Sequence, residues 1–220
     1  MALKKTDHAR SAAEFIPSHA DLSELKAAAA SCRGCDLYKR ATQTVFGEGS
    51  PHARIVFVGE QPGDQEDRAG RPFVGPAGKL LDQALAAVGI SREEIYITNA
   101  VKHFKWEPQG KRRKGKQPSV GEITACKPWL IAELSLIRPK MIVCLGTVAI
   151  QSVFGRPIRL YEVRGTFLKT PLAPETFVTI HPSAILRIPN RDQQQEEYRR
   201  FVDDLRRIQA KLLELQSQTT

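Results

Sequence analysis

The 220-residue sequence contains no run of about 18 uninterrupted apolar residues, so we expect no membrane-spanning helix. The N-terminal segment from Met1 to His8 has basic residues but no apolar stretch after them, which argues against a signal peptide. We therefore expect a cytoplasmic protein. In a reducing compartment, the four cysteines are expected to be metal ligands or buried thiols rather than disulfides.

Two common nucleotide-binding motifs are also missing. A P-loop needs a hydroxyl residue after its lysine, but Leu80 follows Gly78-Lys79. The dinucleotide pattern G-x-G-x-x-G is absent because Glu60-Gln61-Pro62 separates Gly59 from Gly63. The acidic residues of this segment would in addition repel a pyrophosphate. A generic nucleotide cradle is therefore excluded.

The composition favours one basic globular domain. A hydrophobic content of 41% can form one good core, and a net charge of +9 with a pI near 9.6 favours a polyanionic partner. We expect a loosely ordered segment at residues 1–20, a single domain at 21–215 and a tail at 216–220. We expect a monomer.

Short apolar segments alternate with helical patterns, which predicts an α/β fold: three α/β/α layers with a central, mostly parallel four-stranded sheet. The predicted strands are Ile55–Val58, Ile95–Thr98, Met141–Leu145 and Phe177–Ile180. The predicted helices are Asp21 to Ser31 with a capping pattern at Ser18 and Asp21, Gly78–Val88, a helix capped by Ser119 and Glu122 that runs to Ile137, Thr147–Phe154, and Arg191 to Leu215.

The segment from Val58 to Gly78 is the most informative part of the chain. It joins a predicted strand to a predicted helix, and such connections lie where open α/β sheets bind ligands. Its five glycines and three prolines fix a tight backbone path that carries four acidic groups. Each predicted strand also ends in a polar cluster, and these clusters are Gly59-Glu60, Asn99, Gly146-Thr147 and His181-Pro182-Ser183. We expect a binding site at this edge of the sheet.

The cysteines suggest a metal site. Cys32 and Cys35 form a C-x-x-C pair, and Cys126 lies early in a predicted helix. Cys144 lies in an apolar strand, where a thiol behaves as a small hydrophobe, so His103 is the candidate fourth ligand. Three Cys and one His can hold zinc or an iron–sulfur cluster, and spacing alone does not choose between them.

The segment from Lys102 to Lys116 is strongly basic. It carries seven basic residues against the single acid Glu107, a balance of +6. Phe104 and Trp106 are interleaved with the charges and could stack on bases. The segment is therefore predicted to bind a nucleic-acid backbone. The basic residues are Lys102, Lys105, Lys111, Arg112, Arg113, Lys114 and Lys116.

These motifs together resemble the iron–sulfur families of the uracil-DNA glycosylase superfamily, specifically family 4 and the related UdgX group. The likeness runs from about Cys32 to Leu205. The segments that carry it are Gly59-Glu60-Gln61-Pro62-Gly63, Gly70-Arg71-Pro72-Phe73-Val74-Gly75, Ile97-Thr98-Asn99-Ala100-Val101-Lys102 and His181-Pro182-Ser183. The resemblance implies excision of uracil from DNA, the first step of base excision repair, with single-stranded DNA preferred as substrate.

The resemblance also implies roles for individual residues. Phe73 would stack on the extruded uracil, and Asn99 would pair with its O4 and N3–H. His181 would donate towards O2 as the glycosidic bond breaks, and Glu60 would face the sugar. The remaining implied roles are Gln61 and Asp64 in the pocket wall, and Cys32, Cys35, His103 and Cys126 as ligands of a structural [4Fe–4S] cluster.

One position departs from the UdgX pattern. UdgX proteins carry a histidine in a basic loop that captures the deoxyribose covalently, and Gly115 occupies that place here, within the predicted DNA-binding loop of Lys111, Arg112, Arg113, Gly115 and Lys116. The resemblance then implies hydrolysis by water. The alternatives are a tight uracil-binding or abasic-site-binding protein with little turnover, covalent trapping through another residue such as Lys114, and an iron–sulfur electron carrier.

Overall fold

The computed structural model describes residues 11–217. Its main sheet has six strands in the order β1-β3-β2-β6-β8-β7. The strands of this sheet are β1 (Glu48–Gly49), β2 (Ile55–Gly59), β3 (Tyr96–Asn99), β6 (Met141–Leu145), β7 (Phe167–Thr170) and β8 (Ala173–Thr179). A separate hairpin pairs β4 (Trp106–Gln109) with β5 (Arg112–Gly115).

The four predicted strands form the parallel centre of the sheet, since β3, β2, β6 and β8 pair in parallel. The prediction of a mostly parallel sheet is confirmed, but the count of four strands is wrong for the whole sheet. Strands β1 and β7 add antiparallel edges. Strand β1 has only two residues, and β7 is partly polar, so neither gives a clear apolar signal.

Helices cover both faces of the sheet, because successive strand side chains point to opposite sides. Val56 and Val58 of β2 belong to one apolar core, whereas Ile55 and Phe57 belong to the other. The helices are α1 (Leu22–Ala29), α2 (Asp64–Ala69), α3 (Pro76–Ala87), α4 (Val120–Ile137), α5 (Thr147–Phe154), α6 (Leu160–Val163), α7 (Pro182–Leu186) and α8 (Arg191–Ser217). The three predicted layers are therefore present.

The N-terminal part differs from the prediction. Residues Ala12–Phe15 form a 3₁₀ helix, and Ala12 is 1% exposed within a core, so the described part of the first twenty residues is not loosely ordered. Residues 1–10 lie outside the described range. Helix α1 is capped by a reciprocal pair of Asp21 and Glu24 rather than by Ser18.

The C-terminal helix packs as predicted. Helix α8 buries Phe201, Leu205 and Ile208 against the sheet. It continues to Ser217, two residues past the predicted end, and residues 218–220 are not described. In the described range, none of the helices has the length and apolar character needed to span a membrane.

Candidate active site

A cavity of about 840 Å³ opens at the carboxyl edge of the parallel strands. Each strand contributes to it at or just after its end: Glu60 after β2, Asn99 at the end of β3, Gly146 after β6, and His181 after β8. Phe73, from the connection between α2 and α3, also lines the cavity. The structure thus brings the residues predicted from four separate motifs to one place.

Asn99 offers an unused acceptor to this cavity. Its side chain is 2% exposed, and Oδ1 has no hydrogen-bond partner among the described residues. Gly59 of the adjacent strand makes room for it, since a Cβ at Gly59 would lie 2.4 Å from this Oδ1. A buried acceptor without a partner carries a desolvation cost, which a ligand that donates an N–H would remove.

Phe73 lies beside Asn99 in a strained backbone conformation. Its φ is 55°, a left-handed value that is unusual for a bulky residue. The ring is 5% exposed, and its centroid lies 5.7 Å from that of the His181 ring. A Cβ at Gly59 would also come within 2.6 Å of Phe73 Cζ. The aromatic ring therefore forms an apolar wall next to the Asn99 amide.

His181 is held in one tautomer by its own turn. The Ser183 backbone N–H donates to His181 Nδ1 at 3.1 Å, so the neutral imidazole carries its proton on Nε2. Burial and, to a smaller extent, the positive charge of Arg187 lower the pKa of His181 to about 4. Gly146, with a φ of 88°, packs against His181 Cβ. The site thus presents a neutral N–H donor at pH 7.

Glu60 supplies the acidic group of the cavity. Burial raises its pKa above the usual 4.5, and Arg187 partly offsets this effect. An acidic group, a neutral imidazole donor and an open amide acceptor therefore share one cavity.

The family comparison agrees with this geometry. Residues 46–206 match the model of the uracil DNA glycosylase superfamily. The chain belongs to the uracil-DNA glycosylase superfamily. It is 41% identical to the Type-4 uracil-DNA glycosylase of Archaeoglobus fulgidus over 179 residues, which cover 76% of this chain and 83% of that protein. The Type-4 enzyme of Thermotoga maritima is 41% identical over 157 residues, covering 71% of this chain and 78% of the relative.

In this superfamily member, Gln61 and Asp64 line the cavity, but their polar groups are already engaged. Gln61 Nε2 donates to the Lys116 carbonyl oxygen at 2.8 Å, and Gln61 Oε1 accepts from the Lys105 N–H at 3.0 Å. Asp64 forms ion pairs with Arg113 and Arg68. Both residues form part of the cavity wall and also hold the β4–β5 hairpin in place.

The predicted DNA-binding loop is part of a β-hairpin, and most charges of the basic segment form ion pairs within the protein. Lys102 is buried against Glu133 at 2.5 Å, Lys105 pairs with Glu122 and Lys116 with Glu107, each at 2.8 Å. Arg113 pairs with Asp64 and, at 2.7 Å, with Asp67. Within the described part of the chain, no ion pair is formed by Lys111, Arg112 or Lys114.

Both aromatic rings of the hairpin region are packed against arginines, and the prediction of an open stacking face is wrong for the buried Phe104. Phe104 is 3% exposed, and the Arg113 guanidinium lies 5.6 Å from its ring centroid. Trp106 has Arg40 at 4.8 Å and Arg113 at 5.4 Å from its ring centroid. These contacts join the hairpin to the body of the domain.

Gly115 of strand β5 lines the cavity beside Gln61. A Cβ at this position would lie 3.2 Å from Phe104 Cε2 and 4.0 Å from Gln61 Nε2. Glycine therefore adds no reactive group to the wall of the cavity at this point, although a small side chain could be accommodated with a slight shift of Phe104.

Three of the four predicted metal ligands are neighbours in one core. Burial, with smaller contributions from the Cys35 and Cys32 thiols and against an opposing effect of Lys102, raises the pKa of Cys126 to about 12. The backbone N–H of Lys102 donates to Cys126 Sγ at 3.3 Å, and Trp129 Nε1 donates to Cys32 Sγ at 3.2 Å. Such N–H···S bonds suit cluster-bound thiolates. Cys144 is a fully buried residue of β6, as expected.

His103 presents an unprotonated nitrogen. The Thr44 hydroxyl donates to the Ala29 carbonyl oxygen at 2.8 Å, so its oxygen must accept from His103 Nε2, 3.0 Å away. The neutral ring therefore has its lone pair on Nδ1. Across residues 11–217, however, no three His, Cys, Asp or Glu side chains converge closely enough for a single metal ion. The tight convergence that a zinc site needs is thus not seen.

Several supporting residues were not apparent from the sequence motifs. Glu133 is fully buried and accepts hydrogen bonds from Tyr96, Thr98 and Lys102. A lone acid within the apolar face of a long helix is a signal that could have indicated it. Glu66, whose carboxylate accepts the backbone N–H of Gly75, carried no comparable signal in the sequence. This contact depends on how the connection between α2 and α3 folds back.

Proposed function

We propose that the protein is a monofunctional uracil-DNA glycosylase, which extrudes a uracil nucleotide from DNA and hydrolyses its N-glycosidic bond. The observation that carries this proposal is the open acceptor Asn99 Oδ1, which lies in one cavity with the neutral N–H donor of His181 and the ring of Phe73. The relatives that bear the name Type-4 uracil-DNA glycosylase support it.

Recognition of uracil follows from the Asn99 amide. Its Oδ1 accepts from the N3–H of uracil, while its Nδ2 donates to O4. Cytosine has an unprotonated N3 and an exocyclic amine at C4. Asn99 Oδ1 would then face an acceptor and Nδ2 would face a donor, and leaving these buried groups unpaired disfavours cytosine strongly. Phe73 contributes a stacking face, and the base reaches the cavity only once it has left its strand.

Bond cleavage places negative charge on the base and positive charge on the sugar. The electron pair of the C1′–N1 bond moves to uracil, where His181 Nε2–H stabilises the charge that develops on O2. The Glu60 carboxylate stabilises the oxocarbenium-like sugar and orients the attacking water. Water adds its oxygen to C1′ and its proton passes to the departing uracil, so the products are free uracil and an abasic site.

Turnover by water rather than covalent capture is expected from Gly115. The cavity wall at this position carries no nucleophile, and the side chain of Lys116 pairs with Glu107. Lys114 is exposed to solvent and is not held in the apolar surroundings that activate a lysine nucleophile. The sugar cation should therefore be quenched by water.

The unpaired cations of the hairpin supply the DNA-binding surface in this proposal. Lys111, Arg112 and Lys114 are exposed on the hairpin that lines the cavity, and they contact phosphates of the strand that carries the uracil. Extrusion costs least from a single strand, where no base pair has to be broken, so we expect single-stranded DNA to be preferred.

A [4Fe–4S] cluster held by Cys32, Cys35, Cys126 and His103 is part of the proposal. The buried thiols and the N–H···S bonds fit a cluster better than a single ion. The cluster would brace the loops beside Asn99 and the hairpin. Iron and acid-labile sulfide analysis of protein purified without oxygen tests this, with Cys144→Ala as a control variant that should keep the cluster and Cys126→Ala as one that should lose it.

The reaction is tested with an end-labelled single-stranded oligonucleotide that contains one uracil, resolved on a denaturing gel before and after alkali. Alkali-dependent cleavage with several turnovers per enzyme and no SDS-resistant adduct supports the hydrolytic reaction. Tight binding without release of uracil would instead mean a binding protein. A stable protein–DNA band would mean that another residue captures the sugar.

A further inference from the structure

Phe73 adopts its left-handed φ of 55° although it is neither glycine nor asparagine. Such a conformation persists only where surrounding contacts over-determine it, and it is often found at functional sites. Gly78 permits the turn, because a Cβ there would lie 1.8 Å from the Phe73 carbonyl oxygen. The space left by Gly78 allows this conformation but does not fix it. Other contacts must therefore hold the backbone on both sides of Phe73.

On the C-terminal side, the contact comes from Glu66. Its carboxylate Oε1 accepts the backbone N–H of Gly75 at 2.8 Å, and the side chain is only 8% exposed. Gly75 is the N-cap of α3 and has no side chain to cap the helix, and the Glu66 carboxylate fixes this position by accepting the N–H of Gly75 itself. A Cβ at Gly75 would lie 3.0 Å from this carboxylate, and one at Gly63 would lie 2.7 Å from it.

On the N-terminal side, the contact comes from Arg92. Its Nη2 donates to the Pro72 carbonyl oxygen at 3.1 Å, and its Nη1 pairs with Asp82 at 2.6 Å. Asp82 lies on α3, so the guanidinium connects the residue before Phe73 to the helix that follows it. The backbone is thus held within two residues on each side of the strained position.

We propose that Glu66 and Arg92 are positioning residues, which hold Phe73 in its left-handed conformation so that its ring is fixed beside Asn99 before a base arrives. The role of that ring in base stacking rests on the proposed function. The positioning itself does not, because it concerns the backbone of the free protein. Preorganisation of this kind removes the cost of ordering the wall when the ligand binds.

The direct test is the backbone conformation of Phe73, measured by its ¹³Cα and ¹³Cβ chemical shifts in the labelled full-length protein. We expect Glu66→Ala and Arg92→Ala to move or broaden these resonances, with the larger effect in the double variant. Glu66→Gln keeps an Oε1 acceptor for Gly75 and should preserve the wild-type shifts. Lys79→Ala and Glu93→Ala remove exposed charges near the same elements and should also leave the Phe73 shifts unchanged.

Release of uracil from the single-stranded oligonucleotide is measured on the same variants. We expect kcat/KM to fall by about tenfold in Glu66→Ala and in Arg92→Ala, the size expected when one base-stacking contact is weakened. Glu66→Gln should restore the rate, which a general loss of folding would not allow. Urea denaturation confirms that the compared variants are folded.

The outcomes separate the two proposals. Wild-type Phe73 shifts in the double variant would overturn the positioning role, whatever the activity. Equal disturbance of Phe73 by Lys79→Ala would also overturn it. If Phe73 responds as expected but the wild-type protein releases no uracil, the positioning role stands and the proposed reaction is refuted.

Discussion

Lys102 Nζ lies 2.8 Å from the backbone carbonyl oxygen of Asn99 and donates a hydrogen bond to it. The same ammonium donates to Thr98 Oγ1 at 2.6 Å and pairs with Glu133 at 2.5 Å. Glu133 also accepts from the Tyr96 hydroxyl at 2.8 Å. A fully buried polar network therefore fixes the end of strand β3, from which the Asn99 amide projects. A buried network in which every member is satisfied makes a local structure rigid.

Breaking this network should destabilise the fold. Replacing one partner leaves the other charge buried and unpaired, so Lys102→Met or Glu133→Leu should lower the free energy of unfolding by about 3–5 kcal/mol. The double variant should recover part of the loss, because no lone charge remains. Urea denaturation followed by tryptophan fluorescence measures both effects.

The matched control is an exposed ion pair. Arg206 and Asp203 are both more than half exposed, at 61% and 63% of their side chains. Arg206→Ala should change the free energy of unfolding by less than about 1 kcal/mol. If Lys102→Met cost no more than Arg206→Ala, the network would not be the element that fixes β3.

Two glycines near helix N-termini should respond oppositely to substitution by alanine. A Cβ at Gly78 would lie 1.8 Å from the Phe73 carbonyl oxygen, whereas the nearest atom to a Cβ at Gly121 is 4.0 Å away. Gly78→Ala should therefore lower both the stability and uracil release, since the Phe73 turn must shift. Gly121→Ala should leave activity unchanged and raise stability by about 0.5–1 kcal/mol.

Thermal unfolding and single-turnover excision on the two variants measure this contrast. Equal behaviour of Gly78→Ala and Gly121→Ala would contradict the packing of α3 against the Phe73 backbone. The comparison is informative because both substitutions add one methyl group within the first turn of a helix.

The parallel centre of the fold was predictable because each strand contains a short, mainly apolar run with a polar cluster at its end. Strands β2 and β6 lie within one residue of their predicted bounds. The positions of Glu60, Asn99 and His181 at one edge followed from that topology. Pairing of side chains was not predictable, because the partners are remote in sequence: Arg113 lies 49 residues from Asp64 and 46 from Asp67. The run of positive charge therefore predicted a DNA-binding loop. In the structure, Asp64 and Asp67 of α2 neutralise part of that charge.

The salt dependence of DNA binding should come from the unpaired cations alone. Each phosphate contact with a single strand contributes about 0.7 to the slope of log K against log salt concentration. Replacing Lys111, Arg112 and Lys114 by alanine should reduce the slope by about 2 and weaken binding at low salt. Fluorescence anisotropy with a labelled single-stranded oligonucleotide at several salt concentrations measures the slope.

The control removes the same amount of charge away from the cavity. Alanine at Arg199, Arg206 and Lys211, all on helix α8, should leave the slope nearly unchanged. An equal reduction in both triple variants would mean that the net charge of the protein, rather than the hairpin, determines the affinity.

As the pH is lowered, the rate of excision should respond to protonation of Glu60 before protonation of His181. The pKa of Glu60 is raised above 4.5 by burial, while that of His181 is lowered to about 4. As the pH falls, Glu60 is therefore protonated first, and the acidic limb of kcat should have an apparent pKa above 4.5. In Glu60→Gln the rate should be lower, and the remaining acidic limb should move towards the pKa of His181. An unchanged limb in this variant would remove Glu60 from the reaction.

His181 should contribute both to the pH dependence of stability and to the rate of excision. Because its folded pKa of about 4 lies below the usual 6.5, the unfolded chain binds a proton between these values that the folded chain does not. Stability from this group is thus complete above pH 6.5 and is lost as the pH falls towards 4.

His181→Ala should flatten that part of the stability profile and lower kcat by about 10²–10³-fold, since it removes the donor to the uracil O2. Urea denaturation across this pH range and single-turnover excision at pH 7.5 measure the two effects; a full rate with a flattened profile would make His181 a structural residue only.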